Sequence, residues 1–229
     1  MTGVQTCALP IFGPVGSPEL APLGRLVSER WIPFDTRDAA SDPVQQFRQW
    51  FDDARDLMRE REAVALATAS ASGAVHVRMV LLRYLGPDGC GWFTNYQSLK
   101  GHDLAENPHA SLLWYCEPLG RQVRIEGPVS RMSPQQSDDY FASRPRGHQI
   151  GAHASHQSSV IDSRAELEHR VAEYDARFEG QVVPRPAEWG GYLLTPRHWE
   201  FWQHRADRLH DRVNYDATPS GWELSRTSP

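Results

Sequence analysis

The chain is poor in the features that usually place a sequence at once. Its 229 residues hold three cysteines, Cys7, Cys90 and Cys116, at neither paired nor metal-ligand spacing. That argues against a disulfide-framed secreted fold and points to a reducing, cytoplasmic setting. No apolar run reaches the length of a membrane-spanning helix. Cations are in deficit, with 24 Lys and Arg against 29 Asp and Glu, so the net charge is -5. A general nucleic-acid binder needs the opposite balance. The sequence has no internal repeat, low-complexity tract, P-loop, G-x-G-x-x-G fingerprint, G-x-S-x-G elbow or H-E-x-x-H. Its histidines fall at no zinc spacing, so no metal is expected. What is present is ordinary for a globular chain: 40% hydrophobic and 23% charged residues, enough to fill a core.

The first dozen residues read as foreign. Val4-Gln5-Thr6-Cys7-Ala8-Leu9-Pro10-Ile11 is what a common sequencing-library adapter encodes. The segment lacks the cationic start and apolar length of a signal peptide. Residues 1–12 are therefore set aside as an unstructured artefact. Residues 13–41 are rich in Pro and Gly and read as an N-terminal arm, and 42–229 as a single domain.

Asp42-Pro43 opens a helix, with Gln45 at the capping-box position. Phe47, Trp50, Phe51, Ala54 and Leu57-Met58 recur every three to four residues, which buries one face. Short β-runs follow. Ala63–Ala69 and Val75–Tyr84 flank a turn at residues 70–73, and Gly86-Pro87-Asp88-Gly89 leads into Gly91–Asn95. The pattern predicts a helix over Leu99–Glu106 and strands over Ala110–Cys116 and Gln122–Ser130. It predicts further helices capped by Ser133 and by Ser163, then final strands from Gly190 to Ser225. Runs of consecutive strands without strand–helix alternation predict an α+β fold. Its antiparallel sheet is closed into a barrel with packed outer helices.

Residues that carry chemistry cluster within this frame. Glu200–Arg212 interleaves Phe201 and Trp202 with Arg205, Arg208, Arg212, His204 and His210. Arg offers phosphate a planar fork and Trp offers a ring its face, so the run suits a flat phosphorylated ligand. A strand edge with snorkelling arginines has the same composition. Arg78 and Arg83 bracket one β-run at an odd spacing, which points them to opposite faces of a continuous strand. Thr94–Lys100 joins a strand to a helix start beside a lysine, a phosphate-favouring arrangement. Gln122, if it faces inward, needs either a heterocycle edge or a protein carbonyl. Arg144 and Arg146 end a helix, where the dipole favours a cation, but two arginines flanking Pro145 ahead of Gly147-His148-Gln149-Ile150-Gly151 exceed what the dipole asks for. His153-Ala154-Ser155-His156-Gln157-Ser158-Ser159 reads as a loop gathering imidazoles and hydroxyls.

In order along residues 43–229 stand Arg78–Leu82, Phe93-Thr94-Asn95, Ser98-x-Lys100, Arg121-Gln122 and Tyr140-Phe141-x-Ser143-Arg144-Pro145-Arg146. Gln149-Ile150-Gly151-Ala152, Gln157-Ser158-Ser159, Trp189-Gly190-Gly191, Glu200-Phe201-Trp202-Gln203 and Arg208-Leu209-His210-Asp211-Arg212 follow, before the terminal Trp222, Arg226 and Pro229. Together they resemble the pyridoxine (pyridoxamine) 5′-phosphate oxidase family. The resemblance implies a split β-barrel holding FMN non-covalently at a homodimer interface. It also implies oxidation of pyridoxamine or pyridoxine 5′-phosphate to pyridoxal 5′-phosphate, with oxygen reduced to hydrogen peroxide.

By the same resemblance, Arg78, Met79, Val80, Leu81, Leu82 and Arg83 line the flavin strand. Phe93, Thr94, Lys100, Gln122, Gln157, Ser158, Trp202 and Arg212 are further FMN contacts. Tyr140 and Arg144 hold the substrate phosphate, with Arg83 and His148 on the substrate side. Arg208, Leu209 and His210 lie over the substrate ring, Arg208 and His210 as the catalytic pair. The chain departs from the family pattern at Arg83 (usually Lys), Leu99 (often Arg), His148 (usually a small residue) and His204 (usually Gly). The family's N-terminal substrate-covering segment is not recognisable in residues 13–40. A related FMN oxidase of the phenazine-biosynthesis type and a non-catalytic flavin-binding barrel are the alternatives.

Overall fold

The structure is a computed structural model that describes residues 32–229. The expectations for residues 1–31 lie outside the described residues. Helix α1 (Pro43–Asp53) starts where Asp42 accepts the backbone N–H groups of Val44 and Gln45, with proline in its first turn. Its apolar stripe buries Phe47 and Trp50 against the sheet. Phe47 packs edge-on to Trp114, and Trp50 edge-on to Phe201. The predicted helix extends further than the observed one: α1 ends at Asp53, and Ala54 to Leu57 continue as turns.

Ten strands follow the expected order: β1 (Ala63–Ala69), β2 (Val75–Leu81), β3 (Tyr84–Gly86), β4 (Gly89–Asn95), β5 (His109–Cys116), β6 (Arg121–Arg131), β7 (Trp189–Leu194), β8 (His198–Gln203), β9 (Asp211–Thr218) and β10 (Gly221–Arg226). The main path runs β10-β9-β8-β6-β5-β1-β2, and all pairings are antiparallel. Strand β6 makes the sheet curl. Residues 121–126 pair with β8, whereas residues 129–131 pair with β7, which also pairs with β4. The change of partner falls at Gly127-Pro128. A Cβ at Gly127 would sit 2.1 Å from the Thr195 carbonyl oxygen, so the crossing needs glycine.

Helices α2 (Leu99–Glu106), α3 (Pro134–Ser143), α4 (Arg146–Ala154) and α5 (Arg164–Arg177) complete the fold. A main aromatic core fills the curled sheet. A second small core of Phe141, Ile150, Val183 and Trp189 lies under α3 and α4. Helix α4 is an element that the sequence pattern does not announce, and its last two residues, His153 and Ala154, fall in the stretch read as a loop. Two glycines, two histidines and a start at Pro145 without a side-chain cap hide it. The buried pair Ile150 and Ala154, one turn apart, is the helical signal.

Candidate functional site

A groove of about 880 Å³ opens where β2, β4, α2, α3 and α4 meet. One wall is β2, an end strand of the main sheet path, whose odd-numbered side chains face out. Val77 is 66% exposed and Met79 62%. Such a bare apolar stripe is costly in water.

The first cationic cluster belongs to β2 and α2. Lys100 is only 6% exposed. Its Nζ donates to Thr94 Oγ1 and to the N-cap Ser98 Oγ, both at 3.0 Å. Among the described residues no carboxylate lies within ion-pair reach of it. Burial, and then the Arg78 charge, pull its pKa down to about 8. Arg78 is oriented from behind: Nη1 donates to Thr68 Oγ1 at 2.7 Å and to the Leu66 carbonyl at 3.1 Å. Thr68 in turn donates to the buried Asp103 at 2.5 Å, and His76 Nδ1 lies 3.0 Å from the same carboxylate oxygen. Burial alone would raise the Asp103 pKa, but hydrogen bonds from Thr68 and His76 and the nearby cations hold it low. Asp103 thus faces Arg78 and an imidazole while Lys100 has no carboxylate of its own, an electrostatic deficit that an incoming anion offsets.

The turn after α4 closes this end. Gln157 Oε1 accepts from Thr94 Oγ1 at 3.0 Å, and Ser158 Oγ accepts the Leu99 N–H at 3.2 Å. Ser158 holds φ 73°, a strained conformation for a residue with a Cβ.

The second cluster comes from α3 and α4. Tyr140, Arg144 and His148 line the same groove as Arg83. Burial lowers the Arg144 pKa, and its buried Nη1 has no hydrogen-bond partner among the described residues. A guanidinium N–H taken out of water without an acceptor is costly, so this atom too is complementary to an anion.

A separate set of expected residues lies on another face. Gln122, Trp202 and Arg212 sit directly opposite one another across β6, β8 and β9, with Tyr115 of β5, which the sequence did not single out, opposite Gln122. Gln122 points away from the core, since Arg121 and Val123 on either side are buried. Arg212 is clamped by the buried Glu200 and donates to the Ser228 carbonyl at 2.8 Å. Beside this row, His210 packs 4.4 Å from Trp202 and 5.0 Å from His204, centroid to centroid. Its Nδ1 accepts the Arg205 backbone N–H at 3.1 Å, which leaves the ring proton of the neutral form on Nε2. Burial, then His204 and Arg208, lower its pKa. Asp207 and Arg208 both take positive φ, so the 206–209 turn projects Arg208 and Leu209 outward.

The groove therefore brings together Arg78, Met79, Val80, Leu81, Arg83, Phe93, Thr94, Lys100, Tyr140, Arg144, His148, Gln157 and Ser158. Gln122, Trp202, Arg208, Leu209, His210 and Arg212 do not line it in one protomer. Two expectations change. The Leu82 side chain is buried in the main core rather than in the groove. Arg78 and Arg83 share one groove rather than opposite faces, because β2 ends at Leu81. There the backbone switches partners: Leu82 N–H bonds Glu62 and Arg83 N–H bonds Gly91, which resets the alternation. The sequence reading missed His76 and Asp103, which order Arg78. Their only signal is their place one strand position before Arg78 on its face and within α2.

The pyridoxamine 5′-phosphate oxidase profile matches residues 51–178, and the pyridoxine 5′-phosphate oxidase C-terminal dimerisation region matches residues 189–229. The chain belongs to the pyridoxamine 5′-phosphate oxidase family. It is 51% identical to a pyridoxine/pyridoxamine 5′-phosphate oxidase of Burkholderia vietnamiensis, over 85% of this chain and 92% of that one. It is 49% identical to the enzyme of that name from Salinibacter ruber, over 82% and 89%. Among solved structures it resembles PhzG from Burkholderia lata, in complex with tetrahydrophenazine-1-carboxylic acid. That match has a TM-score of 0.81 and 31% identity, over 86% of this chain and 98% of that one. A pyridoxamine 5′-phosphate oxidase-related, FMN binding protein from Nostoc punctiforme shares the fold at 14% identity and a TM-score of 0.66, over 82% and 97%. The architecture is thus the split barrel of this family. The oxidase-family groove fits a phosphorylated flavin on its own chemistry: the under-neutralised Arg78–Lys100 pair suits the phosphate, and the bare β2 stripe suits a flat ring.

Proposed function

We propose that this chain is an FMN-dependent oxidase that converts pyridoxamine 5′-phosphate, pyridoxine 5′-phosphate or both to pyridoxal 5′-phosphate. The observation that carries the reading is one groove lined by two sets of cations, Arg78 with Lys100 and Arg144 with Arg83, beside an apolar strand. Two clusters suit two phosphates, one on the cofactor and one on the substrate. Bound FMN would supply the two-electron redox chemistry that couples the substrate's 4′ carbon to oxygen. Lys100 and Arg78 hold its phosphate, with Thr94, Gln157 and Ser158 closing around it. Tyr140 and Arg144 bind the substrate phosphate and so fix the position of the ring. His210, neutral with Nδ1 occupied, keeps Nε2–H directed at the substrate, and Arg208 beside it orients the polar ring substituents.

The proposed assembly is a homodimer. Gln122, Trp202, Arg208, His210 and Arg212 complete the groove of the partner subunit, and the exposed β2 stripe is covered in the process. The match of residues 189–229 to a dimerisation region supports this, because Trp202, Arg208, His210 and Arg212 all fall within it.

An oxygen-consumption assay tests the reading. The FMN-loaded protein should form pyridoxal 5′-phosphate and hydrogen peroxide from either vitamer phosphate. A holoprotein that ignores both, yet oxidises a reduced phenazine carboxylic acid of the kind bound by PhzG, would move the assignment to that branch.

A further inference from the structure

Arg144 is held by rings rather than by a carboxylate. Its Cζ lies 4.6 Å from the Trp189 ring centroid and 5.6 Å from that of Phe141. Trp189 is 6% exposed and lines the groove. It lies parallel to Tyr140 at 6.2 Å and 6°, and to Phe93 at 5.6 Å and 13°. Phe93 and Tyr140 themselves stack at 3.9 Å. The indole is also fixed by its backbone. Trp189 N–H bonds the Pro186 carbonyl at 3.1 Å, and its own carbonyl accepts from Arg185 Nη1 at 2.5 Å. Arg185 is tied to Asp138 of α3 at 2.6 Å, and Arg144 caps the end of that same helix. Ring and guanidinium therefore hang from one anchored frame.

We infer that Trp189 is the positioning residue for Arg144, and that it thereby sets the preference for a phosphorylated over an unphosphorylated substrate. This deepens the functional reading above and rests on it. A carboxylate partner would orient Arg144 equally well, but it would neutralise the charge and compete with the incoming phosphate. An indole face attracts the guanidinium without consuming an N–H donor. The in-plane N–H fork, including the unpartnered Nη1, stays available to a phosphate oxygen. An aliphatic side chain would fill the volume and leave the cation free to swing.

The test uses the FMN-loaded protein with Trp189→Leu and Trp189→Phe, and measures kcat and KM for pyridoxamine 5′-phosphate and for pyridoxamine. Trp189→Leu should raise KM for the phosphorylated substrate about tenfold, leave its kcat within about twofold and spare pyridoxamine. Trp189→Phe, which keeps an aromatic face, should recover part of the loss. FMN content and Tm identify a variant that simply fails to assemble, in which case Trp189→Phe carries the comparison. Equal effects on both substrates, or an unchanged KM, would overturn the positioning role. A wild-type holoprotein that oxidises neither compound would contradict the functional reading instead. Equilibrium dialysis of wild type and Trp189→Leu against pyridoxal 5′-phosphate then decides the role of Trp189: about tenfold weaker binding supports it, and equal affinity overturns it.

Discussion

The Lys100 ammonium stands 3.0 Å from the Thr94 hydroxyl, across the turn that joins β4 to α2. That contact holds a buried cation at the groove with no carboxylate of its own among the described residues. Its pKa, lowered to about 8 by burial and by Arg78, sets a pH dependence. Below about 8 the lysine is charged and attracts a phosphate. Above it the free protein loses the charge, and binding must recover a proton. The FMN dissociation constant of the apoprotein should therefore rise with pH above about 8, by up to about tenfold per unit. Lys100→Met should weaken FMN binding and flatten that rise. Fluorescence titration across the range measures both, and a wild-type affinity indifferent to pH would remove the proposed role.

Arg144→Ala removes the guanidinium whose Nη1 awaits an acceptor. A charge-assisted hydrogen bond of about 1.5–3 kcal/mol corresponds to roughly a 10- to 100-fold rise in KM for the phosphorylated substrate. Pyridoxamine without its phosphate should show little change. Steady-state kinetics on the pair checks the difference, and parallel losses would exclude a phosphate contact.

Much of this layout was readable from residue order. The capping residues Asp42, Ser133 and Ser163 each start a helix where expected, because a side-chain acceptor at an N-cap is a local device. The strands held because turn residues and alternation are local as well. What escaped depends on the third dimension. The Arg78–Arg83 parity failed because the chain exchanges one strand partner for another at Leu82, which residue spacing does not record. Asp103 escaped because its link to Arg78 passes through Thr68, 35 positions earlier in the chain. The separation of Trp202 and Arg212 from Lys100 was equally invisible, since both sets carry the same phosphate-binding residue types.

The His204 ring lies 5.0 Å from that of His210. Burial lowers the His210 pKa first, and the His204 and Arg208 charges lower it further, against Asp211. The neutral ring therefore persists to lower pH than in an ordinary histidine, and activity is lost as pH falls through the lowered value. His204→Gln removes one like charge, so the acid limb of kcat/KM should move to higher pH with FMN content unchanged. An acid limb that stays in place or moves lower would show that the two rings are uncoupled. Arg208→Ala in the same turn should lower kcat while the flavin remains bound; loss of flavin would reassign Arg208 to the cofactor.

Gly101 lets α2 lie against the β4 turn. A Cβ there would fall 2.0 Å from the Tyr96 carbonyl oxygen, which is backbone and cannot swing aside. Gly101→Ala should cost about 1–3 kcal/mol of stability through overpacking. It should also weaken FMN binding, because α2 carries Lys100. Thermal unfolding and flavin titration of the variant read the two effects, and an unchanged Tm would show that the helix can shift freely.

The central claim is that the groove holds a flavin and a vitamer phosphate together, close enough for electrons to pass. Anaerobic mixing of the FMN-loaded protein with pyridoxamine 5′-phosphate tests it most directly. The flavin absorbance should bleach as an equal amount of pyridoxal 5′-phosphate forms, and admitting oxygen should restore it. A flavin that stays oxidised in the presence of saturating vitamer phosphate would contradict the account.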